Sequence, residues 1–343
     1  MTRIHQVLSG AGPVDAVTQQ AFEYRRLFAE WGMEGGVHAA AIEPAVRVQV
    51  QPLKHLQPDP DDLLLFHYSA YAPRLEPLLD WPQRKLLVYH NVTPAEWLWE
   101  HQPHVATLCA LGRDQLPRWA RGVDVAAAVS EYNARDLREA GARDVRVVPI
   151  LLEPEMFQAH AHAGRPTDRP QILSVGRLAP HKRPELVLRA FELYRRVCAP
   201  GAELQMVGEA LSPAYERSLR ELAGDGVKLR GRLSQDDLNE LWGKADVFVT
   251  LSAHEGFCVP LLEAFHAGIP VVASPSGGMP EVAGDAALWA DDDPAVVAEL
   301  LDLAVRDDEL RGELIARGNA RAEAFAFDAV AAKLRSAIDA TLT

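Results

Sequence analysis

Short apolar runs alternate along this chain with longer stretches whose apolar residues recur at helical spacing. That alternation predicts parallel sheets covered by helices. In the first part the strand-like runs fall at 4–8, 63–66, 85–89, 125–129 and 145–149. Residues 134–140 read as a short helix closed by Gly141, because glycine enters the left-handed region that ends helices without a side-chain clash. Segment 158–170 breaks the rhythm with His, Gly, Pro, Thr and Asp and reads as a domain linker. A second series follows, with strands at 171–175, 203–207, 227–229, 247–251 and 270–273. Helices are predicted between them at 184–196, 214–223, 235–244 and 260–267, and then in the tail at about 295–305, 308–317 and 327–341. The series predicts an α/β chain of two doubly wound domains, with ligands outside the carboxyl ends of the strands.

A length of 343 residues accommodates two domains of ordinary size, and 48% hydrophobic residues is enough for a core in each. The formal net charge of -13 argues against a general nucleic-acid binder. A local basic patch is still compatible with that total. Cys109, Cys198 and Cys258 share no metal-ligand spacing and suggest reduced thiols. The N-terminus lacks the apolar core of a signal peptide, and no apolar run reaches the length of a membrane span. The expectation is a soluble, cytoplasmic protein, compatible with a reversible peripheral contact at the inner face of a membrane.

The candidate chemistry begins with Glu255 and Glu263, eight positions apart around the switch from strand 247–251 to the next helix. One carboxylate is expected at the strand exit and the other in the first helical turn, with the amides of Gly256, Phe257 and Cys258 between them. Such amides suit a phosphate, and the carboxylates suit hydroxyls. The plainer alternative is a solvated Glu255 and a Glu263 that complements the helix end. Upstream, Gly176 permits a tight turn after strand 171–175, and Arg177 and Lys182 could converge on a phosphate pair. Read alone, they are equally an ordinary surface pair. Downstream, Gly277 and Gly278 permit close backbone approach to a ligand, or simply a tight turn.

Taken together, these segments resemble the retaining glycosyltransferases of GT-B fold called group 1 or family 4. The resemblance rests on Gly176-Arg177-Leu178 with Lys182, Val207-Gly208, Arg230-Gly231, Glu255 with Glu263, Gly268-Ile269-Pro270 and the run Gly277 to Val282, over roughly 172–290. It implies two Rossmann-like domains facing an interdomain cleft. Residues 1–165 would form the acceptor-side domain and 166–325 the nucleotide-sugar domain, with a helix in 326–343 packing back on the first. By the same resemblance, Arg177 and Lys182 would contact the diphosphate and stabilise the departing nucleoside diphosphate. Glu263 would hold the ribose hydroxyls, Glu255 the donor hexose, and Gly176 with the 256–258 amides would support sugar and phosphate. The family often has glycine where this chain has Cys258. That side chain either narrows the pocket or packs as a small apolar group.

In the first domain the loop Ser9 to Val17 follows a strand but lacks the glycine spacing of a dinucleotide fingerprint. The resemblance places this loop, with Gly12, opposite the donor. Asp15 either caps the following helix or contacts an acceptor hydroxyl. His67 and His90 each follow a strand, within Phe-His-Tyr-Ser and Tyr-His-Asn-Val-Thr-Pro strings. Those strings are similar to ones in a bacterial subgroup that assembles polysaccharides or glycoconjugates. By that analogy His90 lies near the reacting centre and joins Arg177, Lys182 and Glu255 as a catalytic candidate, with Asn91 and Thr93 shaping the acceptor side; His67 is either a further acceptor-side residue or a satisfied histidine at a strand end. Ser130 is well placed to cap a helix. Trp97 and Trp99 either edge the acceptor site or pack a helix.

The implied activity is hexosyl transfer with retention, mannose or glucose leading, from a UDP-, GDP- or ADP-sugar. The acceptor would be an alcohol on a glycan, glycolipid or small molecule. No Asp-x-Asp motif stands in a suitable place, so metal independence is expected and no cofactor is assigned. The alternatives are an NDP-sugar epimerase of the same fold and a non-catalytic nucleotide-sugar-binding protein.

Overall fold

Apolar runs long enough to be buried on both faces become the central strands of two parallel sheets. A computed structural model of the chain describes residues 2–13, 15–152 and 169–343. Most of the expected linker 158–170, and with it the expected boundary at 165, lies outside the described residues. The chain divides into one unit of Met1–Trp99, Pro103–Glu153 and Phe325–Thr343 and a second of Glu100–Gln102 and Pro154–Ala324.

The N-terminal unit runs β1 (Ile4–Leu8), α1 (Ala16–Glu30), β2 (Glu34–Ala39), β3 (Gln51–Pro52), β4 (Leu63–Tyr68), β5 (Arg84–Tyr89), α2 (Pro103–Gly122), β6 (Val125–Ala128), α3 (Glu131–Glu139) and β7 (Val145–Val147). Its described strands form one sheet in the order β3-β2-β1-β4-β5-β6-β7, every pair parallel. The alternation within each strand decides which helix covers it. Leu64, Phe66 and Leu87 face a cluster with Leu116 and Trp119 of α2 and Leu137 of α3. Leu63, Leu65, Leu86 and Val88 face Tyr24 and Phe28 of α1, together with Val330, Leu334 and Ile338 from the last helix of the chain. Each such leucine, fully buried, stabilises the unit by about 1.5–3 kcal/mol.

The second unit runs β8 (Gln171–Val175), α4 (Pro184–Val197), β9 (Glu203–Val207), α5 (Pro213–Leu222), β10 (Val227–Gly231), α6 (Gln235–Lys244), β11 (Val247–Thr250), α7 (Val259–His266), β12 (Val271–Ala273), α8 (Met279–Ala283), β13 (Ala287–Trp289), α9 (Pro294–Arg306) and α10 (Asp308–Glu323). The tail helix α11 (Phe327–Leu342) belongs to the N-terminal unit. The second sheet has the order β10-β9-β8-β11-β12-β13, again with every pair parallel. Three strand-end glycines are stacked along its carboxyl edge. Gly176 donates to Val207 at 2.9 Å and Gly208 to Gly231 at 2.8 Å. A Cβ on Gly208 would stand 1.9 Å from the Gly176 carbonyl oxygen, so only glycine lets these loops close.

In both sheets the order in which the chain adds strands reverses once, between β1 and β4 in the first and between β8 and β11 in the second. At such a switch point the flanking loops diverge and leave a crevice outside the strand ends.

Candidate active site

The switch point of the second unit brings together residues far apart in sequence. The loop after β8 carries Arg177 and Lys182, and the loop after β11 carries Ser252 and Glu255. Lys182 Nζ meets Glu255 Oε1 at 2.5 Å, and Ser252 Oγ donates to the same oxygen at 2.9 Å. Glu255 is only 9% exposed. Burial by itself would raise its pKa, but the Lys182 charge and the hydrogen bonds from Lys182 and Ser252 outweigh that and hold it below the ordinary carboxylate value. Glu255 is therefore ionised at neutral pH. Its Oε2 has no protein hydrogen bond among the described residues, and Lys182 retains further N–H donors. The pair is thus preset to accept one ligand hydroxyl and to donate to one ligand anion.

Arg177 is exposed and pairs with no carboxylate among the described residues. Its neighbour His181 is held neutral, with a pKa lowered to about 3 by burial and by the Lys182 charge. Nδ1 of His181 is buried without a partner among the described residues.

Glu263 differs from the expectation in one respect. Helix α7 starts at Val259, so Glu263 is its fifth residue and lies in the second turn. The reason is Cys258, which takes a left-handed conformation (φ 78°) and caps the helix one residue earlier. A non-glycine residue there costs on the order of 1–2 kcal/mol, which accounts physically for a preference for glycine at this position. The Cys258 side chain is buried, and burial pushes its thiol pKa well up, so it packs as a neutral group. Glu263 is half-buried and its carboxylate has no ion pair among the described residues; desolvation raises its pKa to about 7.

Gly277 is explained by protein rather than by ligand. It adopts φ 61°, and a Cβ there would stand 2.2 Å from the Glu255 carbonyl oxygen. Gly278 donates to that oxygen at 2.9 Å. The 276–278 turn therefore braces the backbone of Glu255.

In the N-terminal unit the register builds a second cluster. Leu8 pairs with His67, and His67 with Val88. Side chains alternate along a strand, so Gln6, His67 and His90 continue one face of β1, β4 and the end of β5. Ala21 of α1 covers that face, and its carbonyl accepts from Gln6 Nε2 at 2.8 Å. A carbonyl oxygen only accepts, so Gln6 Oε1 must turn the other way, where it meets His67 Nε2 at 2.8 Å. His67 therefore carries its proton on Nε2 and accepts at Nδ1 from His90 Nε2, 2.9 Å away. Burial keeps His67 well below its ordinary pKa and lowers His90 to about 4, even though part of the His90 ring is exposed. The chain of bonds leaves His90 neutral with its lone pair on Nδ1.

Other candidates divide. Gly12, Asp15 and His67 line one cavity of about 500 Å³ with Ser69 and Glu43. Asp15 caps α1, accepting from the Thr18 amide at 3.1 Å and the Thr18 hydroxyl at 2.8 Å. The Gly12 amide donates to Thr18 Oγ1 at 3.2 Å. Asn91, at φ 80°, donates to Asn133 at 2.7 Å, and the Asn133 amide is in turn capped by Ser130. Neither Asn91 nor Thr93 lines the 500 Å³ cavity. Trp99 is 48% exposed. Sequence reasoning passed over Gln6 and Ser252. A buried glutamine inside an apolar strand run was the available signal for the first; nothing local marked the second.

The two doubly wound sheets define the GT-B fold. Residues 156–321 match the family described as Glycosyl transferases group 1. The chain is 34% identical over 164 residues to O-antigen chain mannosyltransferase B of Escherichia coli, covering 46% of this chain and 42% of that protein. It is 30% identical over 238 residues to a GDP-mannose-dependent monoacylated alpha-(1-6)-phosphatidylinositol monomannoside mannosyltransferase of Corynebacterium glutamicum, covering 62% of this chain and 61% of that protein. The chain thus spans less than two thirds of the length of either relative. Among solved structures, sucrose-phosphate synthase of Thermosynechococcus elongatus superposes with a TM-score of 0.75 at 18% identity, over 99% of this chain and 98% of that one. No helix among the described residues is long and apolar enough to cross a membrane.

Proposed function

We propose that the chain is a hexosyltransferase that moves a sugar, mannose in the first instance, from a nucleoside-diphosphate donor to a hydroxyl acceptor with retention. The observation that carries this reading is the Lys182–Glu255 pair at the switch point of the second unit, beside Arg177, which has no ion pair among the described residues. Arg177 and Lys182 meet the diphosphate and stabilise the charge that grows on it as the glycosidic bond breaks. Glu255 Oε2 accepts from a hydroxyl of the donor hexose, and Glu263 accepts from the ribose. A departing phosphate oxygen takes the acceptor proton on the same face, so no side chain is assigned as a covalent nucleophile. In the N-terminal unit the lone pair of His90 Nδ1 receives a hydroxyl of the reacting sugars. The mannosyl preference is supported by the names of the two relatives, and the steps proposed here call on no metal ion.

The test is product analysis. GDP-mannose, UDP-glucose and ADP-glucose are each incubated with the protein and candidate acceptors, with and without EDTA. Mass spectrometry then identifies products, and the anomeric proton coupling assigns their configuration. The reading expects a glycoside of unchanged anomeric configuration, formed equally in EDTA. An inverted product would reject the mechanism. Release of an epimerised donor, or tight donor binding with no glycoside from any acceptor, would reject transfer itself.

A further inference from the structure

The N-terminal unit holds a second cavity, of about 960 Å³, that none of the residues above explains. It is lined by the segment between β2 and β4 and by the turn that precedes β5. Its floor is apolar, with Leu53, Leu78 and Trp81. Its rim carries Arg47, Lys54 and Arg74, all exposed, and no carboxylate contributes to the lining. None of the three cations makes an ion pair among the described residues; Arg74 makes one hydrogen bond, to the Ala40 carbonyl at 3.3 Å. Three uncompensated positive charges around one cavity are unexpected in a chain of net charge -13.

The composition of the cavity defines its occupant. Arginine and lysine with no ion-pair partner among the described residues meet phosphate oxygens well, and Arg47 and Arg74 offer planar forks of donors. The leucine and tryptophan floor would gain nothing from a bare inorganic anion, but it would bury a hydrocarbon segment favourably. Val48, next in sequence to Arg47, is a fully exposed apolar side chain. Ile42 lines both this cavity and the 500 Å³ cavity that contains His67. A molecule seated in the first therefore adjoins the second within the same unit.

We propose that this cavity binds the phosphate-bearing end of an anionic lipid, and that such a lipid is the acceptor. This deepens the hexosyltransferase reading by naming the acceptor class, and it rests on that reading for the word acceptor. The phosphodiester sits among Arg47, Lys54 and Arg74, the first methylenes lie on Leu53 and Trp81, and the polar headgroup extends toward the cavity of His67.

The test uses the whole chain and short-chain lipids below their micelle concentration. Dioctanoyl phosphatidylinositol, dioctanoyl phosphatidylcholine and inositol 1-phosphate are titrated by calorimetry against wild type and against Arg47→Gln/Lys54→Gln/Arg74→Gln. All three substitutions are on the surface, and each single variant is measured beside the triple one to guard against misfolding. Saturable binding of the anionic lipid is expected, weakened about tenfold or more in the triple variant. The zwitterionic lipid and the tail-less phosphate are expected to bind more weakly than the anionic lipid. Equal binding of the two lipids, unchanged binding in the variants, or no saturable binding would overturn the proposal. Inositol 1-phosphate binding as tightly as the lipid would overturn the lipid assignment in favour of a soluble phosphate. The binding assay contains no donor, so its failure is separate from failure of the sugar-transfer assay. A protein that transfers sugar yet ignores the lipid loses only the acceptor class. One that binds the lipid but transfers sugar only to other acceptors loses the acceptor role, and one that transfers sugar to no acceptor loses the transferase reading.

Discussion

The two sheets reverse their strand order at the same topological position, yet their switch points carry opposite kinds of chemistry. In the second unit the loops after β8 and β11 present ions: Arg177, Lys182 and Glu255. In the first unit the carboxyl ends of β1 and β4, with the residue after β5, carry a chain of neutral hydrogen-bonding groups, Gln6, His67 and His90, while Asp15 in the loop after β1 is engaged in capping α1. The backbone framework is shared, so the difference lies in which side chains the strands end on. An ionic switch point suits a diphosphate whose charge changes during reaction. A neutral one, with a fixed lone pair, suits a hydroxyl. What the comparison teaches is that a doubly wound sheet supplies a place, and the side chains at the carboxyl ends of its strands and in the loops that follow supply the reaction.

The sharpest way to break the comparison is to remove the ionic half. Arg177→Ala with Lys182→Ala is expected to lower kcat/KM about 10,000-fold, since two groups that stabilise the leaving diphosphate are lost together. Steady-state kinetics on protein with an unchanged circular dichroism spectrum checks this. Near-normal turnover would show that the cations are ordinary surface charges.

The next test asks whether the second switch point depends on its brace. Gly277→Ala forces a Cβ toward the Glu255 carbonyl at a left-handed φ. It is expected to destabilise the unit by roughly 1–3 kcal/mol in urea titration and to reduce activity as Glu255 shifts. A wild-type midpoint together with wild-type turnover would remove the brace from the account.

For the neutral half, Gln6 is a positioning residue. Gln6→Leu frees the His67 tautomer, and with it that of His90, and is expected to lower kcat about 10- to 100-fold while the donor KM stays put. Gln6→Glu restores the acceptor oxygen but places a carboxylate on His67. That favours the imidazolium, so the acid limb of the pH profile should move to higher pH. A Gln6→Leu loss that Gln6→Glu neither rescues nor shifts in pH would mean that Gln6 merely packs.

The smallest effect concerns Glu263. With its pKa at about 7 it is partly protonated at neutrality, and only the ionised form accepts from both ribose hydroxyls. Nucleotide affinity should tighten about three- to tenfold between about pH 6 and about pH 8, and Glu263→Gln should flatten that dependence. The unliganded protein should respond in the opposite sense. A carboxyl whose folded pKa lies above its ordinary 4.5 contributes stability at low pH that is lost as pH rises through about 7. Calorimetry of nucleotide binding and thermal unfolding across this range measure the two trends.

Much of this was legible in the chain. The run 4–8 is β1 and 171–175 is β8, and the helix read at 235–244 is α6. Such segments announce themselves because a buried parallel strand must be apolar and a covering helix must repeat its apolar face. Strand β2 was not legible, because it contains Gly35-Gly36. Gly35 lies against the Ile4 backbone, where a Cβ would be 2.4 Å from its oxygen, at an irregularity in the β1–β2 register. Strand β13, Ala287–Trp289, is too short to show a pattern. Both lie beside strands that were legible.

The sequence by itself determined the alternation of strands and helices, the glycines at the strand ends, and the loops on which Arg177, Lys182 and Glu255 would fall; His67, read as just past a strand, lies inside β4, which runs on to Tyr68. It did not determine how those side chains pair. That Lys182 meets Glu255, 73 positions away, follows from β8 and β11 being neighbours in the sheet. That Gln6 dictates the proton on His90 follows from the register of β1, β4 and β5. Strand adjacency and register are settled by packing helices on both faces of a sheet, and only the folded chain brings those faces together.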